Sequence, residues 1–140
     1  MQERDSRPLE EAVARVGDRW TLLVVDALLE RPLRFNELAE RLRGIAPNIL
    51  ASRLRTLERG ALVVAEAYSE RPPRFLYELT ESGRELAGAL RLLAEWGARQ
   101  SEDAAPLRHE VCGTSLETRW YCATCDRAVD DGEAVDLDYV

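Results

Sequence analysis

The spacing of apolar residues changes twice along this chain, and each change restricts the fold. Up to residue 60, apolar side chains recur every three or four positions, which is the period of an amphipathic helix. Between Leu62 and Leu79 the pattern becomes that of strands, and Phe75, Tyr77 and Leu79 share one face. Helical spacing returns at residue 80 and lasts to about residue 98. The sequence therefore predicts a mainly α chain with one small β-hairpin, in the α+β fold class.

Local start and stop signals divide these regions into elements. Asp18 and Thr80 are placed to cap helices with their side chains, whereas Pro32, Gly44 and Gly60 end them. The predicted helices cover residues 8–16, 20–30, 35–42, 47–59 and 80–98. The predicted strands cover 62–68 and 75–79, and we expect the polar, proline-rich residues 69–74 to form the loop between them. This order of elements is that of a winged helix-turn-helix.

Length and composition indicate a water-soluble chain with one main domain. The 140 residues are 46% hydrophobic and 32% charged, and clean apolar runs such as Leu22 to Val25 are far too short to cross a bilayer. The charged N-terminus lacks the apolar stretch of a signal peptide. These features predict a cytoplasmic protein without a membrane partner. We expect a DNA-binding and dimerisation domain at 1–98, a linker at 99–108, and a small module at 109–140.

Charge is distributed unevenly along the chain. The net charge is -7, but residues 31–74 contain nine arginines against five acidic residues, a local net charge of +4. Residues 75–140 contain six arginines against fourteen acidic residues, a net charge of -8. A basic segment between acidic ends is compatible with ordinary surface variation or with a nucleic-acid partner. The residues around the arginines distinguish these two interpretations.

The fourth predicted helix favours double-stranded DNA as that partner. With Leu50, Leu54 and Leu57 directed inward, the opposite face presents arginine, asparagine and hydroxyl side chains. Arginine can pair with guanine and asparagine with adenine in the major groove, while the wing at 69–74 would reach the flanking backbone or minor groove. The competing interpretation is a plain solvated amphipathic helix. The predicted DNA contacts are Arg34, Asn36, Pro47, Asn48, Ser52, Arg53, Arg55, Arg71 and Arg74.

A series of short motifs between residues 9 and 98 resembles the HxlR-type, MarR-like family of winged helix-turn-helix transcription regulators. The resemblance implies a homodimer built on the first and last helices of the domain, bound to a roughly palindromic operator and expected to repress by occluding promoters. No cysteine lies at the start of the first helix, where some members carry a sensing thiol. The motif residues are Gly17, Trp20, Arg34 to Leu38, Gly44-Ile45, Leu50, Arg53, Leu54, Leu57, Tyr77 to Thr80, and Glu95 to Gly97.

The last predicted helix carries more apolar surface than one small domain covers. This stripe is compatible with the dimer interface that the resemblance implies, although part of it is expected to pack inside the domain. The residues concerned are Leu86, Leu90, Leu93 and Trp96.

The only histidine and all three cysteines of the chain lie within seventeen residues of the tail. They form two pairs, His109-x-x-Cys112 and Cys122-x-x-Cys125, and this spacing is typical of a zinc ribbon that binds one zinc ion per chain. Four protein ligands would close the coordination sphere, so the site would be structural or sensory, not catalytic. The alternatives are a surface histidine beside a redox-active Cys-x-x-Cys pair, or iron in place of zinc.

Two other functions are compatible with these features. A zinc-ribbon protein-interaction adaptor on a winged-helix scaffold, or a redox-responsive regulator using the tail thiols, are the alternatives to a simple DNA-binding regulator. An enzyme is not expected, because the single histidine belongs to the metal pattern and no acid–base constellation remains. The closing stretch alternates Val135, Leu137 and Tyr139 with acidic residues, which predicts one short strand with an acidic face.

Overall fold

The computed structural model describes residues 8–103, 105–130, 132 and 133. The chain forms two compact units, the first ending at Leu90 and the second beginning at Arg91. The strand predicted at 135–139 lies outside the described residues. Within the described part of the chain, no helix is long and apolar enough to cross a membrane.

Four helices occur in the first unit within one residue of their predicted bounds. They are α1 (Pro8–Val16), α2 (Arg19–Glu30), α3 (Phe35–Arg41) and α4 (Pro47–Arg59). Asp18 caps α2 as predicted, because its Oδ1 accepts hydrogen bonds of 3.0 Å from the backbone N–H groups of Trp20 and Thr21. Gly44 has a φ of 88°, a left-handed conformation that lets the chain turn between α3 and α4.

A three-stranded antiparallel sheet lies beside these helices. Its strands are β1 (Leu33–Arg34), β2 (Val63–Glu70) and β3 (Pro73–Leu79), in the order β1-β3-β2. β2 and β3 form the predicted hairpin, but β1 was not predicted. It is only two residues long and pairs Leu33 with Tyr77 and Arg34 with Leu76, so it leaves no periodic signal in the sequence.

The predicted loop at 69–74 is wrong in extent. The strands continue through Ser69↔Arg74 and Glu70↔Pro73, after an irregularity between Ala67 and Ser69, and only two residues remain for the turn. Pro73 is tolerated because it is the first residue of its strand, where the missing N–H is not needed. The wing is therefore a long, narrow hairpin rather than a short hairpin with a broad loop.

The helices and the sheet enclose one hydrophobic core. The three inward leucines of α4, Leu50, Leu54 and Leu57, are essentially inaccessible to water, as the helical spacing predicted. They pack with apolar residues of α2, α3 and the strands, and this packing fixes the outer face of α4 relative to the sheet. The remaining members of the core are Val24, Val25, Ala27, Leu28, Leu33, Leu38, Leu42, Val63 and Leu79.

The single helix predicted for residues 80–98 is interrupted. Thr80 does cap its start, since its hydroxyl accepts a 3.1 Å hydrogen bond from the N–H of Gly83, but α5 (Glu81–Arg84) is followed by a separate α6 (Ala87–Gln100). At the junction Leu86 N–H donates to the carbonyl of Gly83, three residues back, which interrupts regular α-helical bonding. Gly83 and Gly88 flank this junction, and each glycine costs a helix about 1 kcal/mol relative to alanine.

The second unit contains most of α6 and the tail. The tail has a two-stranded antiparallel sheet, β4 (Trp120–Cys122) and β5 (Arg127–Val129), and an isolated bridge between Arg108 and Ser115. The sequence from Leu116 to Tyr121 is compatible with a strand between the two ligand pairs, and the structure forms one only from Trp120. The helix α6 extends to Gln100, so it includes the first residues of the predicted linker.

Candidate nucleic-acid interface

The outer face of α4 presents polar side chains in the way its sequence predicted. Asn48 and Arg55 are exposed, as is Pro47 at the start of the helix, while Ser52 is half-buried. Arg55 forms no ion pair among the described residues, so its guanidinium is available to a partner. Near the end of the helix the Thr56 hydroxyl donates to the carbonyl of Ser52 at 3.1 Å, and Arg59 donates to the Thr56 hydroxyl at 3.3 Å.

Arg53 lies in a different environment from Arg55. Its Nε is 3.2 Å from the Oδ1 of Asp18, and this contact is an ion pair rather than a directed hydrogen bond. The arginine therefore connects α4 to the cap of α2. Burial raises the pKa of Asp18, but the hydrogen bonds from Thr21 and Trp20 and the charge of Arg53 together hold that pKa below its ordinary value. The contact gives Arg53 a structural role besides its predicted one on DNA.

The wing and the start of α3 form a second group of predicted contacts. Arg34, Asn36 and Arg74 line one open cavity of about 350 Å³. The guanidinium of Arg34 stacks over the ring of Tyr68 at 4.7 Å from its centroid, which orients the cation on the wing. Arg74 and Arg71 are exposed and form no ion pair within the described ranges. The remaining residues lining the cavity are Phe35, Tyr68, Pro73, Phe75 and Tyr77.

The aromatic part of this cavity was not predicted from the sequence. Tyr68 and Phe75 lie within the two predicted strands, but the sequence did not predict that β1 pairs with β3, which places Arg34 beside them at the cavity. The alternation of Phe75 with Tyr77 did indicate a shared face, and their rings are 6.5 Å apart in the structure. Burial raises the pKa of Tyr77, and the charge of Glu58 adds to this effect while Arg55 opposes it.

Two acidic residues in or beside the basic segment form ion pairs with nearby arginines. Glu37 accepts a 2.7 Å hydrogen bond from the N–H of Arg34 and lies 3.4 Å from a guanidinium nitrogen of Arg31. These contacts hold the pKa of Glu37 below its ordinary value, the bond from Arg34 being the largest cause. Glu30 is paired with Arg41, and this contact likewise lowers the pKa of Glu30. The negative charges of Glu37 and Glu30 are thus paired with arginines other than Arg55, Arg71 and Arg74.

Apolar side chains remain exposed on the first and last helices. Leu9 and Val13 of α1 are 58% and 56% exposed, and Leu93 and Trp96 of α6 are 52% and 58% exposed. The other two residues predicted for an interface, Leu86 and Leu90, are half-buried against the hydrophobic core. The apolar stripe of α6 is therefore shared between the interior of the domain and an open surface.

The tail brings its predicted ligands together as two pairs. The Nδ1 of His109 lies 3.3 Å from the Sγ of Cys112. Hydrogen bonds from Cys125 and Thr124 lower the pKa of the Cys122 thiol, and a hydrogen bond from the hydroxyl of Thr114 does so for Cys112. All three cysteines are free thiols. Among the described residues no three histidine, cysteine or acidic side chains converge on a common point.

The sequence of this chain is similar to those of known helix-turn-helix proteins. The family model described as HxlR-like helix-turn-helix matches residues 15–105. An uncharacterized HTH-type transcriptional regulator of Mycobacterium tuberculosis is 38% identical over 122 residues, which cover 84% of this chain and 77% of the relative.

Two solved structures share the fold. The reduced form of the transcriptional regulator YodB from Bacillus subtilis has a TM-score of 0.58 and 31% identity, over 71% of this chain and 99% of that chain. The redox regulator HypR in its reduced form has a TM-score of 0.63 and 30% identity, over 68% of this chain and 94% of that chain.

Proposed function

The chain belongs to the HxlR-like helix-turn-helix family of DNA-binding transcription regulators, and we propose that it acts as a homodimeric repressor that reads its operator with α4. Its relatives are transcription regulators, which confirms the expectation that it is not an enzyme. Three parts of this function are inferred: the residues that contact DNA, the dimer interface, and repression rather than activation.

The outer face of α4 is the observation that carries the proposal. Its leucines anchor the helix in the core, so the exposed Asn48 and Arg55 are held on a rigid element. Arg55 forms no ion pair among the described residues and can donate two hydrogen bonds to guanine, and Asn48 can pair with adenine. We assign sequence reading to these two side chains. Ser52 is half-buried, which suits a contact at the edge of the groove.

The wing would supply affinity rather than sequence selection. Arg71 and Arg74 are exposed near the tip of a narrow hairpin, and phosphate contacts by such arginines position a protein without reading bases. Arg34 and Asn36 line the same cavity as Arg74, so a backbone phosphate near the wing could meet two cations from the sheet and the neutral amide of Asn36 from α3. The stacking of Arg34 on Tyr68 supports this assignment by fixing one of those cations.

A second copy of the chain is the partner that the exposed apolar residues favour. Leu93 and Trp96 on α6, with Leu9 and Val13 on α1, are the large apolar side chains that these two helices leave more than half exposed in the described part of the chain. Proteins of this fold bind two half-sites through a dimer, and two linked contacts raise affinity through effective concentration. We propose that these residues form the homodimer interface.

Footprinting of the purified chain on the DNA upstream of its own gene tests the proposal. We expect a protected, roughly palindromic site, and Arg55→Ala should weaken binding to it by about 1–3 kcal/mol with a smaller effect on unrelated DNA. Arg71→Gln should instead weaken binding to both DNAs and reduce the salt dependence by about one counterion. Arg91→Ala, on the exposed side of α6, serves as the matched control. Absence of protection on this and all genomic fragments would refute the proposal.

A further inference from the structure

The four metal-ligand candidates of the tail occupy the tips of two separate antiparallel turns. Around the first, Arg108 pairs with Ser115, the N–H of His109 donates to the carbonyl of Thr114 at 2.8 Å, and the N–H of Leu116 donates to the carbonyl of Leu107 at 2.8 Å. The second turn joins β4 to β5, and Cys122 is paired with Arg127 at its base. Each turn therefore carries one pair of candidate ligands, although the two turns share no sequence beyond that pattern.

The backbone conformation of the two turns is also the same at one position. Gly113 follows Cys112 with a φ of 72°, and Asp126 follows Cys125 with a φ of 53°. A positive φ is uncommon for a residue other than glycine, so its recurrence directly after the second ligand of each pair is informative. In the first turn the N–H of Gly113 donates to the carbonyl of His109 at 2.7 Å, which closes the turn around the pair. Both turns have the form in which two side chains three positions apart can face one ion.

The first turn holds its two candidate ligands side by side. The Nδ1 of His109 lies 3.3 Å from the Sγ of Cys112. The two atoms are therefore close enough to bind the same ion.

The described part of the tail shows no hydrophobic core that would hold its turns together. None of the described residues from 91 to 133 is buried, and apolar side chains such as Val111 (87% exposed) and Trp120 (62% exposed) lie open to water. A segment of this size buries too little apolar surface to fold by itself. Metal binding can supply the missing free energy, because the ligands come together only in the folded state.

We propose that one zinc ion per chain joins the two turns through the imidazole of His109 and the thiolates of Cys112, Cys122 and Cys125. Three sulfur ligands and one nitrogen ligand suit tetrahedral zinc, and four protein ligands leave no open position, so the ion is structural. No three ligands converge on one point among the described residues, so the two pairs do not yet form a single site. Binding the ion therefore brings the two turns together, and the thiols lose their protons to solvent as it binds.

Cobalt substitution in the full-length protein tests this site. The protein is stripped with a chelator under reducing conditions and then titrated with Co²⁺, whose absorption reports ligand type and geometry. We expect one cobalt per chain, with thiolate charge-transfer bands and the intense visible bands of a tetrahedral ion, and stoichiometric displacement by Zn²⁺. A weak octahedral spectrum, less than half an equivalent of metal, or a metal-free Cys122–Cys125 disulfide in protein purified without an added oxidant would overturn the proposal.

Variants from both turns show whether the two pairs act on one ion. Cys112→Ser and Cys125→Ser should each lower cobalt affinity by at least tenfold and weaken the charge-transfer band. Ala123→Ser introduces the same side chain at an exposed, non-ligand position of the second turn, so it is the matched control and should change neither. His109→Cys should keep one cobalt per chain and strengthen the charge-transfer band, since it replaces a nitrogen ligand with a fourth sulfur. If Cys112→Ser leaves the cobalt spectrum unchanged, the first turn takes no part and the proposal fails. These readouts need no DNA, so they are independent of the operator experiments.

Discussion

Gly83 is the position at which one added methyl group should have the most specific effect. An ideal Cβ built on Gly83 lies 2.2 Å from the carbonyl oxygen of Leu62 and 3.0 Å from a methyl carbon of Leu79. Real Cβ atoms essentially never approach another heavy atom closer than 3.0 Å. In Gly83→Ala the backbone of α5 must therefore move away from the carbonyl oxygen of Leu62 by at least about 0.8 Å. This is the difference between the 2.2 Å approach and the 3.0 Å limit.

The carbonyl of Leu62 cannot move away freely. It accepts a 3.0 Å hydrogen bond from the N–H of Thr80, a bond that joins the two ends of the wing hairpin. Overpacking of this kind costs about 1–3 kcal/mol, and weakening the bond adds up to about 1 kcal/mol. The higher helix propensity of alanine offsets at most about 1 kcal/mol of this loss. The net expectation for Gly83→Ala is a loss of about 1–3 kcal/mol in the free energy of unfolding.

Gly88→Ala is the matched control for this substitution. Gly88 is exposed at the start of α6, and an added Cβ would have no heavy atom within 4 Å. Only the helix propensity changes there, so the variant should gain about 0.5–1 kcal/mol. Urea denaturation at one fixed protein concentration measures both variants, because the stability of a dimer depends on concentration. If Gly83→Ala is as stable as the wild type, the close approach of α5 to Leu62 is not a real constraint and the reasoning fails.

Two further perturbations test the cap of α2 and the dimer interface. Asp18→Ala should cost about 1 kcal/mol at pH 7 through loss of the cap. The pKa of Asp18 is lowered in the folded state, so its contribution is complete above the unfolded pKa near 4 and is lost as the pH falls through the folded value. Urea denaturation at pH 7 and pH 3 should therefore show the difference between the two proteins shrinking in acid, and a constant difference would contradict the assignment. Leu93→Glu places a charge on the exposed apolar part of α6 and should shift the protein from dimer to monomer in sedimentation velocity. The control Arg91→Ala should leave the dimer unchanged. A Leu93→Glu dimer of unchanged stability would exclude this face as the interface.

The elements that were predicted well from the sequence are those encoded by nearby residues. The start of α2 depends on Asp18 and the two N–H groups that follow it, and the end of α3 depends on Gly44, so both could be read from a few adjacent positions. The inward leucines of α4 follow from helical periodicity alone. Each of these signals involves residues within about one helical turn, which is the range over which sequence patterns are reliable.

The elements that were not predicted depend on distant partners. β1 exists because Leu33 and Arg34 find free positions beside β3, more than forty residues later. The break between α5 and α6 coincides with the packing of Gly83 against Leu62, a contact across the wing. The two-residue turn of the wing was hidden by its polar and proline-rich residues, because strands that extend beyond the core do not require apolar side chains. Neither composition nor periodicity contains this information.

The same distinction decides which arginines remain available for DNA. Arg53 and Arg55 are two positions apart on α4, and both were predicted to face DNA. Arg53 is held by Asp18, which precedes it by thirty-five positions, whereas Arg55 forms no ion pair among the described residues. A substitution at Arg53 therefore removes a contact between α2 and α4 as well as a positive charge, and its effects on stability and on DNA affinity should appear together. For Arg55 they should separate, because that side chain has no structural ion pair to lose.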